Sequence, residues 1–113
     1  MKFDKELLKG STETLILSLI KDNSMYGYQI IKELEIKSSG VFMLKEGTLY
    51  PILHGLEEKG VVESFWNEGD NKRKRKYYKI TERGKEYLKE KEEEWKFFKG
   101  AVDRVLWEGI VWN

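Results

Sequence analysis

Residues 61–80, VVESFWNEGDNKRKRKYYKI, decide how this chain folds. The run from Val61 to Trp66 is rich in β-branched and aromatic residues, residues 67–71 form a polar turn containing Gly69, and residues 76–80 read as a returning strand. The segment is therefore a hairpin with a charged tip, Lys72-Arg73-Lys74-Arg75-Lys76. Like charges packed this closely repel one another, so the tip is either a well-solvated turn or a surface that becomes favourable when a polyanion lies across it. Nucleic acid is the first candidate partner.

Upstream of the hairpin, Leu49, Ile52, Leu53 and Leu56 recur at the spacing that makes one apolar helix face, predicting a third helix over residues 46–59 with Gly60 as its stop. Pro51 lacks an N–H, so it should lie close to the first turn, which puts the positive end of the helix dipole around residues 46–48. Before it, Val41 to Leu44 read as a short apolar link. A second helix, capped by Ser24 and carrying Ile30, Ile31 and Leu34, fades by Ser38-Ser39-Gly40. Helix one begins near Phe3 and resumes after Gly10-Ser11, with Leu15, Ile16, Leu19 and Ile20 on its apolar face. Downstream, Thr81-Glu82-Arg83-Gly84 opens a last helix that runs to about residue 108. Three helices, a hairpin and a helix is the order of a winged helix-turn-helix, mainly α with a small β-hairpin, in which the third helix enters a major groove and the hairpin is the wing.

The last helix carries Leu88, Trp95, Phe98, Val102, Val105 and Leu106 in a stripe that the small core before it has no room to cover. A two-fold dimer satisfies both copies of such a stripe at once. Gly100 in its middle either allows a close helix approach or a bend. Residues 1–80 thus read as the DNA-binding part and 81–113 as a dimerisation helix and tail, in one compact unit.

Lys and Arg number 21 against 20 Asp and Glu, a formal net charge of +1, but the charge is segregated. Residues 72–79 hold six cations and no anion, whereas residues 86–94 hold five glutamates against two lysines. The chain has no cysteine, which removes disulfides, thiolate metal sites and thiol catalysis together. It has one histidine, no glycine-rich phosphate loop and no metal-ligand cluster, so it offers no nucleophile and base pair, and neither enzyme activity nor a cofactor or metal is expected. No stretch approaches a membrane span and the charged start does not resemble a signal peptide, so a cytoplasmic protein is expected.

Three segments together strongly resemble the PadR family of bacterial transcriptional regulators, in the short form with a single C-terminal dimerisation helix. They are Tyr26-Gly27-Tyr28-Gln29-Ile30; Glu46-Gly47-Thr48-Leu49-Tyr50-Pro51-Ile52-Leu53 continuing through Leu56-Glu57-Glu58-Lys59-Gly60; and Arg75-Lys76-Tyr77-Tyr78-Lys79-Ile80-Thr81 with Gly84. The likeness spans residues 7–105, nearly the whole chain. It implies a dimeric winged-helix repressor of the multidrug- or phenolic-responsive type, which leaves its operator when a small molecule binds at the dimer interface. The apolar end Gly109-Ile110-Val111-Trp112-Asn113 departs from the polar ends more common in this form.

The candidate DNA-binding residues are Thr48, Tyr50 and His54 of the third helix and Lys72, Arg73, Lys74, Arg75 and Lys76 of the wing. Hydroxyls near a helix N-terminus suit phosphate, and Arg73 or Arg75 can probe a narrow minor groove. Tyr50 reads equally as a packing residue, and His54 as a plain surface histidine. Tyr28 and Tyr78 are core or backbone-contact residues. Leu88, Trp95, Phe98, Val102, Val105 and Leu106 are the candidate dimer interface. Within it, Trp95 and Phe98 are either simple core or, with Leu7 as a wall, a stacking site for a planar hydrophobic or cationic molecule. The alternatives are a winged-helix regulator that needs no ligand and a protein-interaction module built on the same scaffold.

Overall fold

Among the described residues, apolar side chains at helical spacing give α1 (Thr12–Ile20), α2 (Gly27–Lys37), α3 (Glu46–Glu58) and α4 (Glu82–Leu106), accompanied by three short strands, β1 (Met25–Tyr26), β2 (Val62–Glu68) and β3 (Lys74–Ile80). The computed structural model describes residues 10–68 and 73–108. The expected helix start near Phe3, the wall residue Leu7, residues 69–71 with Lys72, and the apolar end from Gly109 lie outside the described residues.

Ile16, Leu17 and Ile20 of α1, Ile30 and Leu34 of α2, and Leu49, Leu53 and Leu56 of α3 meet Val61, Val62, Tyr78 and Ile80 in one core. Each large apolar side chain buried there contributes about 1.5–3 kcal/mol. Leu44, the last residue of the link before α3, is buried with them, while Val41 and Met43 stay exposed.

Two helix ends show how local chemistry sets the turns. After α2, Ser39 N–H donates to the Ile36 carbonyl and Gly40 N–H to that of Glu35. After α3, Gly60 N–H donates to Glu57 and Val61 N–H to Leu56. Both are Schellman ends, which need a left-handed residue. Gly60 supplies it at φ 76°, and Ser39 adopts φ 53° despite its side chain.

The sheet is antiparallel in the order β1-β3-β2. β1 was not anticipated: Met25 pairs with Tyr78 and Tyr26 with Tyr77. Consequently α2 starts at Gly27 with Tyr26 at the N-cap position, and not after a Ser24 cap. The Tyr26 N–H is instead satisfied by Gln29 Oε1 at 3.1 Å. The wing strands are also longer than expected. Lys74, Arg75 and Lys76 lie within β3, opposite Glu68, Asn67 and Trp66, so only part of the cationic run belongs to a tip. Setting Glu68 across from Lys74 favours this extension, because opposite charges on facing positions support pairing.

α4 leaves the wing through a tight junction. Thr81 Oγ1 accepts from Gly84 N–H at 2.9 Å and donates to the Gly60 carbonyl at 2.8 Å. Leu88 is buried here, so it belongs to the core of the chain itself and not to the uncovered part of the stripe. Lys59, at the C-terminal end of α3, donates to both carboxylate oxygens of Glu13 at 2.9 Å and lies 5.5 Å from the Tyr87 ring centre, tying α1, α3 and α4 together.

Candidate nucleic-acid interface

Burial of Leu49, Leu53 and Leu56 turns the opposite face of α3 outward, and Gly47, Thr48, Pro51 and His54 are exposed on it. The helix begins at Glu46, where the Lys45 carbonyl accepts from Thr48 N–H and Leu49 N–H, each at 3.0 Å. Pro51 sits in the second turn, one turn deeper than its missing N–H suggests. The Gly47 carbonyl that loses this bond belongs to an exposed residue, so water can serve it.

Between this face, the start of α2 and the wing runs a groove of about 620 Å³. Tyr28, Tyr50, His54 and Trp66 give it a partly aromatic lining, Arg73, Arg75 and Lys76 make it basic, and Glu46 is the one acidic lining residue among those described. Strand alternation explains the wing side. Because Tyr78 is buried, Lys76 two residues earlier and Trp66 opposite it share its face of the sheet, toward α3. Arg75 lies on the other face, where Nη1 donates to the Tyr26 hydroxyl at 3.2 Å and the guanidinium carbon stands 4.5 Å from the Tyr26 ring centre.

Tyr50 is half-buried, and its ring lies against Gly27: a methyl group there would fall 2.8 Å from Tyr50 Cζ and overlap the hydroxyl. Only glycine at the first position of α2 lets the tyrosine sit so close. The structure thus brings Tyr50, His54, Arg73, Arg75 and Lys76 onto one groove, with Thr48 on the adjoining helix face. Lys74 is exposed on β3, and Lys72 lies outside the described residues. Trp66, 67% exposed, and Tyr26 were passed over as site residues in the sequence. Their signal is weak, since an aromatic in a strand looks the same whether it faces a core or a groove.

α4 offers a second uncovered surface. Its 25 residues span about 37 Å, of which roughly 27 Å follow Leu88. Leu88, Trp95 and Val102 are spaced by seven, as are Lys91, Phe98 and Val105, so the face that docks on the core at Leu88 continues outward as an apolar seam. Trp95 and Phe98 are exposed, with ring centres 6.1 Å apart and planes inclined by 30°. Val105 and Leu106 are also exposed and Val102 half-buried. Phe97 and Trp107, equally exposed, were not singled out in the sequence; two residues on from Trp95, Phe97 faces the far side of the helix.

Residues 16–90 match the Transcriptional regulator PadR-like family. A protein of Lysinibacillus sphaericus is 37% identical over 105 residues, covering 93% of this chain and 95% of that one. Among solved structures, a transcriptional regulator from Clostridium thermocellum superposes with TM-score 0.83 at 35% identity, covering 92% of this chain and 98% of that one. A PadR-like transcriptional regulator from Bacillus cereus gives 0.81 at 30% identity, with 91% and 98% covered. A winged helix-turn-helix with a basic, aromatic-lined groove, matched along most of its length by these regulators, is a member of the PadR-like family of transcriptional regulators.

Proposed function

We propose that the protein is a homodimeric repressor that holds operator DNA with α3 and the wing and releases it when a planar hydrophobic or cationic molecule enters the dimer interface. The observation that carries this reading is the single groove shared by the outward face of α3 and the wing cations. In a two-fold dimer, two α3 helices would occupy successive major grooves about 34–36 Å apart, with both wings on flanking backbone. Residues 1–80 would form the DNA-binding part and 81–113 the dimerisation part.

The uncovered α4 seam supports the dimer, since an isologous contact buries Trp95, Phe98, Val102, Val105 and Leu106 from both copies at once. Two Trp95 indoles brought together by the symmetry axis would offer flat faces to an aromatic guest. The neighbouring Glu92-Glu93-Glu94 would favour a cationic one. A guest that changed the separation of the two α3 helices would lower affinity for both half-sites together.

The test is fluorescence anisotropy of a labelled duplex titrated at increasing salt. A protein contacting about 6–10 phosphates loses roughly 10³–10⁵ in affinity between 50 and 200 mM salt. Binding without salt dependence, or unchanged after Arg73, Lys74 and Arg75 are all replaced by alanine, rejects the DNA-binding assignment of the groove. The inducer site is tested separately by tryptophan quenching with planar cationic and phenolic compounds, which Trp95→Phe should abolish.

A further inference from the structure

We propose that Tyr26 is a positioning residue for DNA binding: it holds the Arg75 guanidinium in place before DNA arrives, and this inference rests on the reading of the groove as the DNA interface. Tyr26 ends β1 and stands at the N-cap position of α2, so it belongs to the helix-turn-helix, whereas Arg75 belongs to the wing. Two contacts join them, the 3.2 Å hydrogen bond from Nη1 to the hydroxyl and the 4.5 Å approach of the guanidinium carbon to the ring centre. An arginine over a ring face is held by attraction between its charge and the π electrons, and the planar fork keeps other N–H donors for a phosphate.

The tyrosine is itself fixed. Register sets Tyr26, Tyr77 and Phe65 side by side across the three strands. Tyr26 meets Tyr77 edge-on at 5.4 Å, and Tyr77 stacks on Phe65 at 5.6 Å. This aromatic row anchors the root of the wing to the start of α2 and places one cation of the run, Arg75, on it. A lysine-rich wing otherwise loses rotamer freedom on every phosphate contact. An arginine already ordered avoids this loss, which amounts to roughly two- to tenfold in affinity for one such side chain.

The experiment is a double-mutant cycle with a fluorescein-labelled mixed-sequence duplex long enough for two half-sites, read as affinity against salt. Arg75→Ala should weaken binding and lower the salt slope by about one. Tyr26→Leu should cost roughly two- to tenfold when Arg75 is present and almost nothing in the Arg75→Ala background. Tyr26→Phe, which keeps the ring under the guanidinium but loses the hydroxyl that accepts from Nη1, should cost a smaller, still measurable part of that factor. Equal losses with and without Arg75, or an unchanged slope in Arg75→Ala, overturn the positioning role while leaving DNA binding intact. A wild-type protein whose duplex binding is insensitive to salt overturns the DNA reading itself. Should Tyr26→Leu fail to fold in a circular-dichroism melt, the cycle of Tyr26→Phe with Arg75→Ala decides by the same criterion, since only a coupled pair makes the loss of the hydroxyl depend on Arg75.

Discussion

Gly84→Ala is the substitution whose effect follows most directly from the geometry. A methyl group at Gly84 would overlap the Val61 carbonyl oxygen and stand 2.7 Å from Ile80 Cγ1 and 3.0 Å from the Val61 carbonyl carbon. Ordinary carbon contacts lie at about 3.5–4.0 Å, so the Ile80 approach is short by roughly 1 Å. The obstacle is backbone, which cannot swing aside like the end of a side chain, so the start of α4 must lift. Overpacking of this kind costs about 1–3 kcal/mol. The lift also strains the Thr81 cap, worth about 1 kcal/mol, while alanine's better helix propensity returns about 1 kcal/mol. The expected net loss is about 1–3 kcal/mol, and in a domain of this size each kcal/mol lowers the melting temperature by roughly 4–8 °C. Circular-dichroism melts at one fixed protein concentration measure it, with Gly100→Ala as the control on the same helix. At Gly100 the nearest atom is Arg104 Nη1 at 3.6 Å, and the residue lies off the Trp95 seam, so alanine should stabilise by up to about 1 kcal/mol. A Gly84→Ala protein melting at or above the wild type refutes the close approach of α4 to residue 61.

Gly27→Ala should displace the Tyr50 ring into the groove, costing about 1–3 kcal/mol of stability and weakening duplex binding; unchanged DNA affinity in the folded variant would separate Tyr50 from the interface. Val105→Glu puts a charge on an exposed seam residue and should convert the proposed dimer to monomer in sedimentation velocity with helix content retained; a dimer that persists places the contact elsewhere. Stability should be level through neutral pH and fall at alkaline pH. Burial, then the nearby Tyr50 and Glu57, raise the Tyr78 phenol above its ordinary 10.0, and the hydrogen bond to Glu13 raises Lys59 above its ordinary 10.5. In both groups the folded state binds the proton more tightly, so their contribution is complete below those values and disappears as pH rises through the folded pKa. Urea midpoints between about pH 8 and 12 measure the fall, and Tyr78→Phe should make it shallower; identical profiles would show that the Tyr78 proton is not linked to folding.

The order of the helices and the wing hairpin was legible in the sequence because it is set by neighbours along the chain. Leucine spacing at Leu49, Leu53 and Leu56, the stop at Gly60, the strand-like residues after it and the threonine before α4 are local signals, and each acts through contacts a few residues away. The apolar seam from Trp95 to Leu106 was legible for the same reason, since helical periodicity alone puts those residues on one side. Only the tertiary structure decided what depends on residues distant in sequence. Strand β1 exists because Met25 and Tyr26 meet Tyr78 and Tyr77, about fifty positions on, and a two-residue strand has no pattern of its own. That pairing moved the start of α2 from Ser24 to Gly27. Leu88 became core and Trp95 remained uncovered, although both lie on one helix face, because the body of the domain ends between them. Trp66 and Lys76 share a groove with Tyr50 because an antiparallel sheet alternates its side chains, and which face is inward is decided by what packs against it. The sequence by itself determined the helices, the wing hairpin and their apolar faces, through short-range periodicity; packing between distant segments added β1 and decided which of those faces is filled and which is left for a partner.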